Sequence, residues 1–214
     1  MHSRAVVVAY PNRLPHIESD GGIAVRRTMP DTVHLVSAAA TPLGGDTIEI
    51  RIVVEAGACL RVRSAAASVA LPGAHTLASH ATWQLEVAGE LDVDLEPTIV
   101  AADARHSSTI AVQLGADGSV RLRERVQIGR SGERAGFWSG SLHVDRLQRP
   151  LLRHRVELGA GALGDDVLAA PRAMTSEFRY PAVPSAAAAD PRSTVLELAG
   201  GGTLSTYQND RLTD

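Results

Sequence analysis

The sequence predicts a mainly β fold with few helices, organised as one domain of stacked strand repeats in the manner of a solenoid. Three observations predict it: apolar residues that alternate with polar ones at period two, an internal repeat of about thirty residues, and no long stretch of period 3.6 before residue 160.

The alternation is clearest at Ile48, Ile50, Ile52 and Val54. It returns at Trp83, Leu85 and Val87, again at Leu91, Val93 and Leu95, and again at Val120, Leu122, Val126 and Ile128. In a strand, alternate side chains share a face, so each set marks a half-buried strand.

The repeat is seen by aligning IRIVVEAGACLRVRS from Ile50, ATWQLEVAGELDVDL from Ala81 and IAVQLGADGSVRLRE from Ile110. The offsets are 31 and then 29 residues, which superposes Ile52 with Trp83 and Val112, and Leu60 with Leu91 and Val120. Gly57, Gly89 and Gly118 mark a turn inside each unit. Units of this length stack as rungs. In that register Arg61, Asp92 and Arg121 align, and so do Arg63, Asp94 and Arg123, giving two Arg–Asp–Arg ladders. Opposite charges facing across strands contribute roughly 0.2–1 kcal/mol per pair.

Beyond the repeat the pattern breaks between residues 159 and 192. GAGALGDD reads as a loop and PAVPSAAAADP as a connection rich in Pro and Ala. A last strand, 194–198, precedes AGGGT and a polar tail expected to fray.

Composition narrows the function. The chain has 214 residues, 44% hydrophobic and 21% charged, the balance of a globular domain. A net charge of −3 and an aromatic content of 3% argue against nucleic acid as a partner. All 21 basic residues are arginine, which removes lysine Schiff-base chemistry and the lysine of a phosphate loop. Cys59 is the only cysteine, so neither a disulfide framework nor a cysteine zinc site is expected. The apolar run Ala5–Ala9 lacks the features of a signal peptide, and no run is long enough for a membrane helix. A soluble cytoplasmic protein is expected. The eight histidines show no ligand spacing, and no nucleophile elbow is present.

The most specific stretch is VHLVSAAATPLGGD, Val33 to Asp46, a strand running into a Pro-Leu-Gly-Gly turn that ends on a carboxylate. Two acids stand in otherwise apolar phases. Glu124 lies in step with Val120, Leu122, Val126 and Ile128, and Asp46 heads the row of Ile48, Ile50 and Ile52. A carboxylate in a core phase must be paired or wet. Each therefore either meets an arginine, such as Arg130 for Glu124, or lines a water-filled passage. Glu96 falls in the outward phase unless Pro97 turns it.

These segments resemble the UreD/UreH family of urease accessory proteins. LVSAAATPLGGD is similar to the family's "GG-x-x-GGD" segment, with Ser37-Ala38 in place of the first glycine pair. GACLRVRSAAA (Gly57–Ala67), LDVDLEPTIV (Leu91–Val100) and LRERVQIGRSGERAGFWSG (Leu122–Gly140) resemble the next three blocks, in order. Compared with the family, the N-terminal region and the segment after residue 160 look shortened. The resemblance implies a non-enzymatic cytoplasmic scaffold with a helix-poor, solenoid-like fold. Such a scaffold binds apo-urease together with UreF-type and UreG-type proteins and passes nickel toward the urease active site. Nickel would bind transiently and no cofactor permanently, with Asp46, Glu124 and Glu96 as candidate residues of the passage. The competing expectation is a β-solenoid protein-binding module unrelated to urease.

Without a phosphate loop or a lysine, the purified chain is expected to show no GTP turnover and no micromolar GTP affinity. Steady-state phosphate release and equilibrium dialysis with GTP check this, and either signal would refute it.

Overall fold

A computed structural model describes residues 1–163, 170–183 and 190–213. The chain runs through β1 (His2–Tyr10), β2 (Arg13–Asp20), β3 (Ile23–Met29), β4 (Thr32–Ser37), β5 (Thr47–Val54), β6 (Cys59–Ser64), β7 (Ser68–Ala70), β8 (Ala78–Val87) and β9 (Glu90–Asp94). It continues through β10 (Thr98–Val100), β11 (Arg105–Leu114), β12 (Ser119–Ile128), β13 (Phe137–Arg146), β14 (Arg149–Gly159), β15 (Ala173–Tyr180), β16 (Ser193–Glu197) and β17 (Thr203–Asn209). No helix occurs among the described residues.

Successive coils alternate between two sheets. Strands β1, β5, β8, β11 and β13 pair in parallel, while β4, β6, β9 and β12 pair in parallel opposite them. Antiparallel β2 and β14 complete a seven-stranded sheet, and β3, β15, β17 and β16 extend the other. The expected solenoid-like stack is therefore present, finished by antiparallel strands at both ends.

Hydrogen-bonded register puts like residues in rows. Ala5, Ile50, Trp83, Ile110 and Leu142 lie side by side, and so do Val7, Ile52, Leu85, Val112 and Val144. The facing sheet contributes Val33, Val62, Val93, Leu122 and Phe178. Almost all of these side chains are buried and together they form the core. Burying each contributes roughly 1.5–3 kcal/mol.

The second strands of the repeat pair as expected, Leu60 beside Leu91 beside Val120. The first strands differ from expectation by two residues, because Trp83 faces Ile50 and Ile110 where Ile52 and Val112 were expected. The cause is turn length. Four residues join β5 to β6 and β11 to β12, but only Ala88 and Gly89 join β8 to β9. A slip of two keeps every side chain on its face, so the apolar pattern does not reveal it.

The charge ladder forms, displaced by one diagonal step. Arg63 pairs with Asp92 at 2.7 Å, and Arg121 reaches both Asp92 and Asp94 at 3.1 Å and Glu177 at 2.8 Å. Arg123 and Arg125 approach Asp94 at 3.8 and 3.4 Å, while Arg61 turns away to Asp31.

Two expectations about the C-terminal part need correction. Ala173–Tyr180, inside the stretch read as irregular, is strand β15 and pairs with β12. The polar tail is not frayed: Thr203–Asn209 forms β17, held on one side by β15 and on the other by β16. Parts of the GAGALGDD and PAVPSAAAADP segments lie outside the described residues.

Asp94 is the most shared acid of the ladder and only 20% exposed. Replacing it, Asp94→Ala, leaves three arginines short of a partner and is expected to cost about 1–2 kcal/mol. Urea unfolding at low and high salt checks this. An unchanged midpoint would show that the ladder adds nothing to stability.

Candidate functional site

The site begins with rows that run out of bulk. One step from Trp83 and Ile110 along the inner face, Ala81, Ser108 and Gly140 are neighbours. The next row is Ser79, His106 and Trp138. On the opposite sheet the strands are interrupted. Strand β12 pairs with β9 as far as Arg123–Asp94 and resumes with β10 at Val126–Thr98. Between them the chain detours through Leu95, Glu96 and Pro97, and in the preceding coil through Ala65, Ala66 and Ala67. Glu124 and Arg125 thus face a gap in the ladder. Small side chains on one sheet and a gap in the other leave a cavity of about 250 Å³ between them, with room for several waters.

Glu124 lines this cavity and is partly exposed to it. Burial pushes its carboxyl up to about 7, opposed by a hydrogen bond from Ser108. Arg130, the expected partner, bonds Glu133 at 2.9 Å instead. Among the described residues no basic side chain lies within ion-pair reach of Glu124. The wet alternative is therefore the one the geometry fits. Beside it, His106 is buried, and its Nδ1 lies 2.9 Å from the Ser79 hydroxyl. Burial, with repulsion from His80, lowers its pKa to about 4, so the ring is neutral at pH 7.

Glu96 sits at the cavity mouth, 51% exposed, with its N–H donated to the Ser64 hydroxyl at 2.8 Å and Arg125 at 4.0 Å. Arg125 is fixed by Leu95 O at 2.8 Å. The mouth therefore sets Arg123 and Arg125 against Asp94 and Glu96, and the charges balance.

Asp46 is buried as its phase indicated, but it is not among the residues lining the cavity. It closes the Pro42–Asp46 turn, accepting from Leu43 N–H and the Thr41 hydroxyl at 2.9 Å each and from the Met1 amino group at 2.6 Å. Burial pushes its carboxyl up, yet these donors prevail and the net shift is downward. The turn needs its glycines: a Cβ on Gly44 would fall 1.9 Å from Thr76 O, and Gly45 has φ of +95°. Thr41 and Pro42, held by this turn, do line the cavity. The structure thus brings Glu124 and Glu96 to one cavity and leaves Asp46 behind its wall.

His106, Ser108 and Trp138 were not singled out from sequence. Extending the phase of Ile110, Val112 and Leu114 backwards by twos reaches Ser108 and His106, so a signal existed for the first two.

Residues 10–203 match the UreD urease accessory protein family. A urease accessory protein UreD of Saccharopolyspora erythraea is 38% identical over 190 residues, covering 86% of this chain and 74% of the relative. One from a Parafrankia species is 39% identical over 201 residues, covering 80% and 68%. One from Frankia alni is 47% identical over 116 residues, covering 53% and 39%.

Glu124 and His106 set opposite limbs of the stability profile. The native chain keeps a proton on Glu124 that the unfolded chain releases above about pH 4.5. This stabilisation is complete below that pH and lost as pH rises through about 7. His106 acts in reverse, with stabilisation complete above about 6.5 and lost as pH falls toward about 4. The two offset one another across most of that window. In Glu124→Gln only the histidine limb remains. The variant should gain on the native chain by up to about 3 kcal/mol between about pH 5 and pH 8, read by urea unfolding. A pH-independent difference would show that Glu124 titrates normally.

Proposed function

The chain belongs to the UreD urease accessory protein family, and from that membership we propose that it is a non-enzymatic cytoplasmic scaffold which passes nickel toward apo-urease. In this role it binds apo-urease together with UreF-type and UreG-type partners, and nickel is its cargo, held transiently with no permanent cofactor. The reading of a solenoid module unrelated to urease is set aside by the family match.

The observation that carries the proposal is Glu124, an interior carboxylate with no arginine partner, placed at the gap in the ladder and facing a cavity with room for several waters. A hydrated divalent ion crossing a β core needs oxygen ligands at intervals, each weak enough to let go. Glu96 at the mouth offers a first carboxylate and Glu124 a second within. The paired charges at the mouth set up no strong field, so the ion is neither repelled nor trapped there. Asp46 supports this arrangement indirectly, through the turn that holds Thr41 and Pro42 in the cavity wall.

The test is co-expression of the urease subunits and accessory partners with each variant, comparing pull-down yield with nickel content. Glu124→Gln should assemble normally and deliver several-fold less nickel per urease. Asp46→Asn should weaken the chain by about 1–3 kcal/mol through its turn, and complexes that do assemble should carry normal nickel. Normal nickel with Glu124→Gln would remove the passage role from this residue.

A further inference from the structure

The large cavity holds more than the interior acid. Its wall includes Ile48, Ile50 and Trp83 on one sheet and Leu35, Val93 and Leu122 on the other. All six belong to the buried core. The cavity reaches from β12 past β9 and β6 to Leu35 of β4, three strand spacings or about 14 Å. Its volume of about 250 Å³ exceeds the roughly 150 Å³ of an apolar cavity that takes up benzene. A long space with such walls suits an apolar body larger than one ring.

Charge collects at its mouth. Arg123 and Arg125 of β12 line the cavity beside the Leu95–Pro97 detour. Arg125 is held by Leu95 O at 2.8 Å and by Asp94 at 3.4 Å. Arg123 has no such anchor. It is 31% exposed, its one ion-pair contact is Asp94 at 3.8 Å, and among the described residues its guanidinium donates no hydrogen bond. Asp94 itself lies nearer to Arg121, at 3.1 Å, and to Arg125. Glu96, the other acid at the mouth, lies 4.0 Å from Arg125. A guanidinium whose planar fork is free, set at the mouth of an apolar cavity, is shaped to receive a carboxylate.

We propose that the large cavity is a binding site for a small apolar monocarboxylate, its head on Arg123 at the mouth and its tail between the sheets. The inference goes beyond the passage reading and does not rest on it. Burying the tail against the core side chains supplies the affinity, and the guanidinium supplies the choice of head group. The tail takes the space that waters would fill, so the acid and a hydrated ion exclude one another. An occupant of this class therefore closes the cavity to a passing ion.

The experiment uses the full chain. Both of its tryptophans, Trp83 and Trp138, line the cavity, so their fluorescence reports an occupant directly. The protein is titrated with octanoate, octan-1-ol and octylammonium, each below its micelle concentration. Octanoate should move the emission to the blue, saturate at one molecule per chain, and bind about tenfold more tightly than the alcohol, with the ammonium weakest. In Arg123→Gln the affinity for octanoate should fall to that of the alcohol, and the alcohol should bind as before. In Ala81→Leu, which fills the cavity from its wall, both should be lost. Octanoate and octan-1-ol binding alike to the native protein overturns the carboxylate site, as does tighter binding of octylammonium. Octanoate undiminished by Arg123→Gln overturns the placement of its head. Absence of a saturable change with octanoate in the native protein overturns the site without recourse to any variant, so a misfolded variant does not protect it. Nickel content with Glu124→Gln decides the passage separately, since octanoate binding is read on this chain alone.

Discussion

Parallel register between coils is the constraint from which the rest of the molecule follows. Once Leu60 is bonded beside Leu91 and Leu91 beside Val120, every inward position of a coil lies next to its counterpart in the next. A row of large side chains fills the space between the sheets, and a row of small ones cannot be rescued by a neighbour. Ala81, Ser108 and Gly140 form such a row, and the cavity lies against it. The same register stacks the outward charges, which is tolerable only because Asp92 and Asp94 separate the arginines of β6 from those of β12.

Placing a carboxylate in this interior is a cost that the fold meets in an unusual way. A buried acid is ordinarily matched with a base. Here the nearby arginines are committed elsewhere, Arg121, Arg123 and Arg125 to the outer ladder and Arg130 to Glu133. Glu124 is left with a serine hydroxyl and a cavity, and its affinity for protons rises in consequence. A carboxylate kept unpaired near neutral pH is available to something else, whereas one locked to a guanidinium is not.

Much of this was legible in the sequence, to a depth set by what a period of two can say. Phase identified the faces: it placed Glu124 and Asp46 inside and drew the arginine ladder. It could not show which inward acid meets the cavity, so Asp46, held in its own turn, looked equivalent to Glu124. Register was hidden by the short Ala88-Gly89 turn, which shifts the pairing by a whole period without altering any face. Strand β17 escaped because its own residues are mostly polar and only Leu204 is buried. Its order comes from the strands on either side. The family blocks supplied a function that none of these patterns contains.

The antiparallel strands at the ends of the stack also decide how long it can grow. Parallel coils polymerise readily, because each exposed edge is a template for the next identical coil. In the seven-stranded sheet both edges are instead reversed strands, β2 carrying Pro15, Glu18 and Asp20, and β14 carrying Arg149, Arg153 and Arg155. A second molecule offering another parallel coil meets the wrong polarity, a proline without a donor and a run of like charge. The repeat is thereby terminated at a fixed number of turns, and a sequence with the grammar of a fibre is held to the dimensions of a single particle.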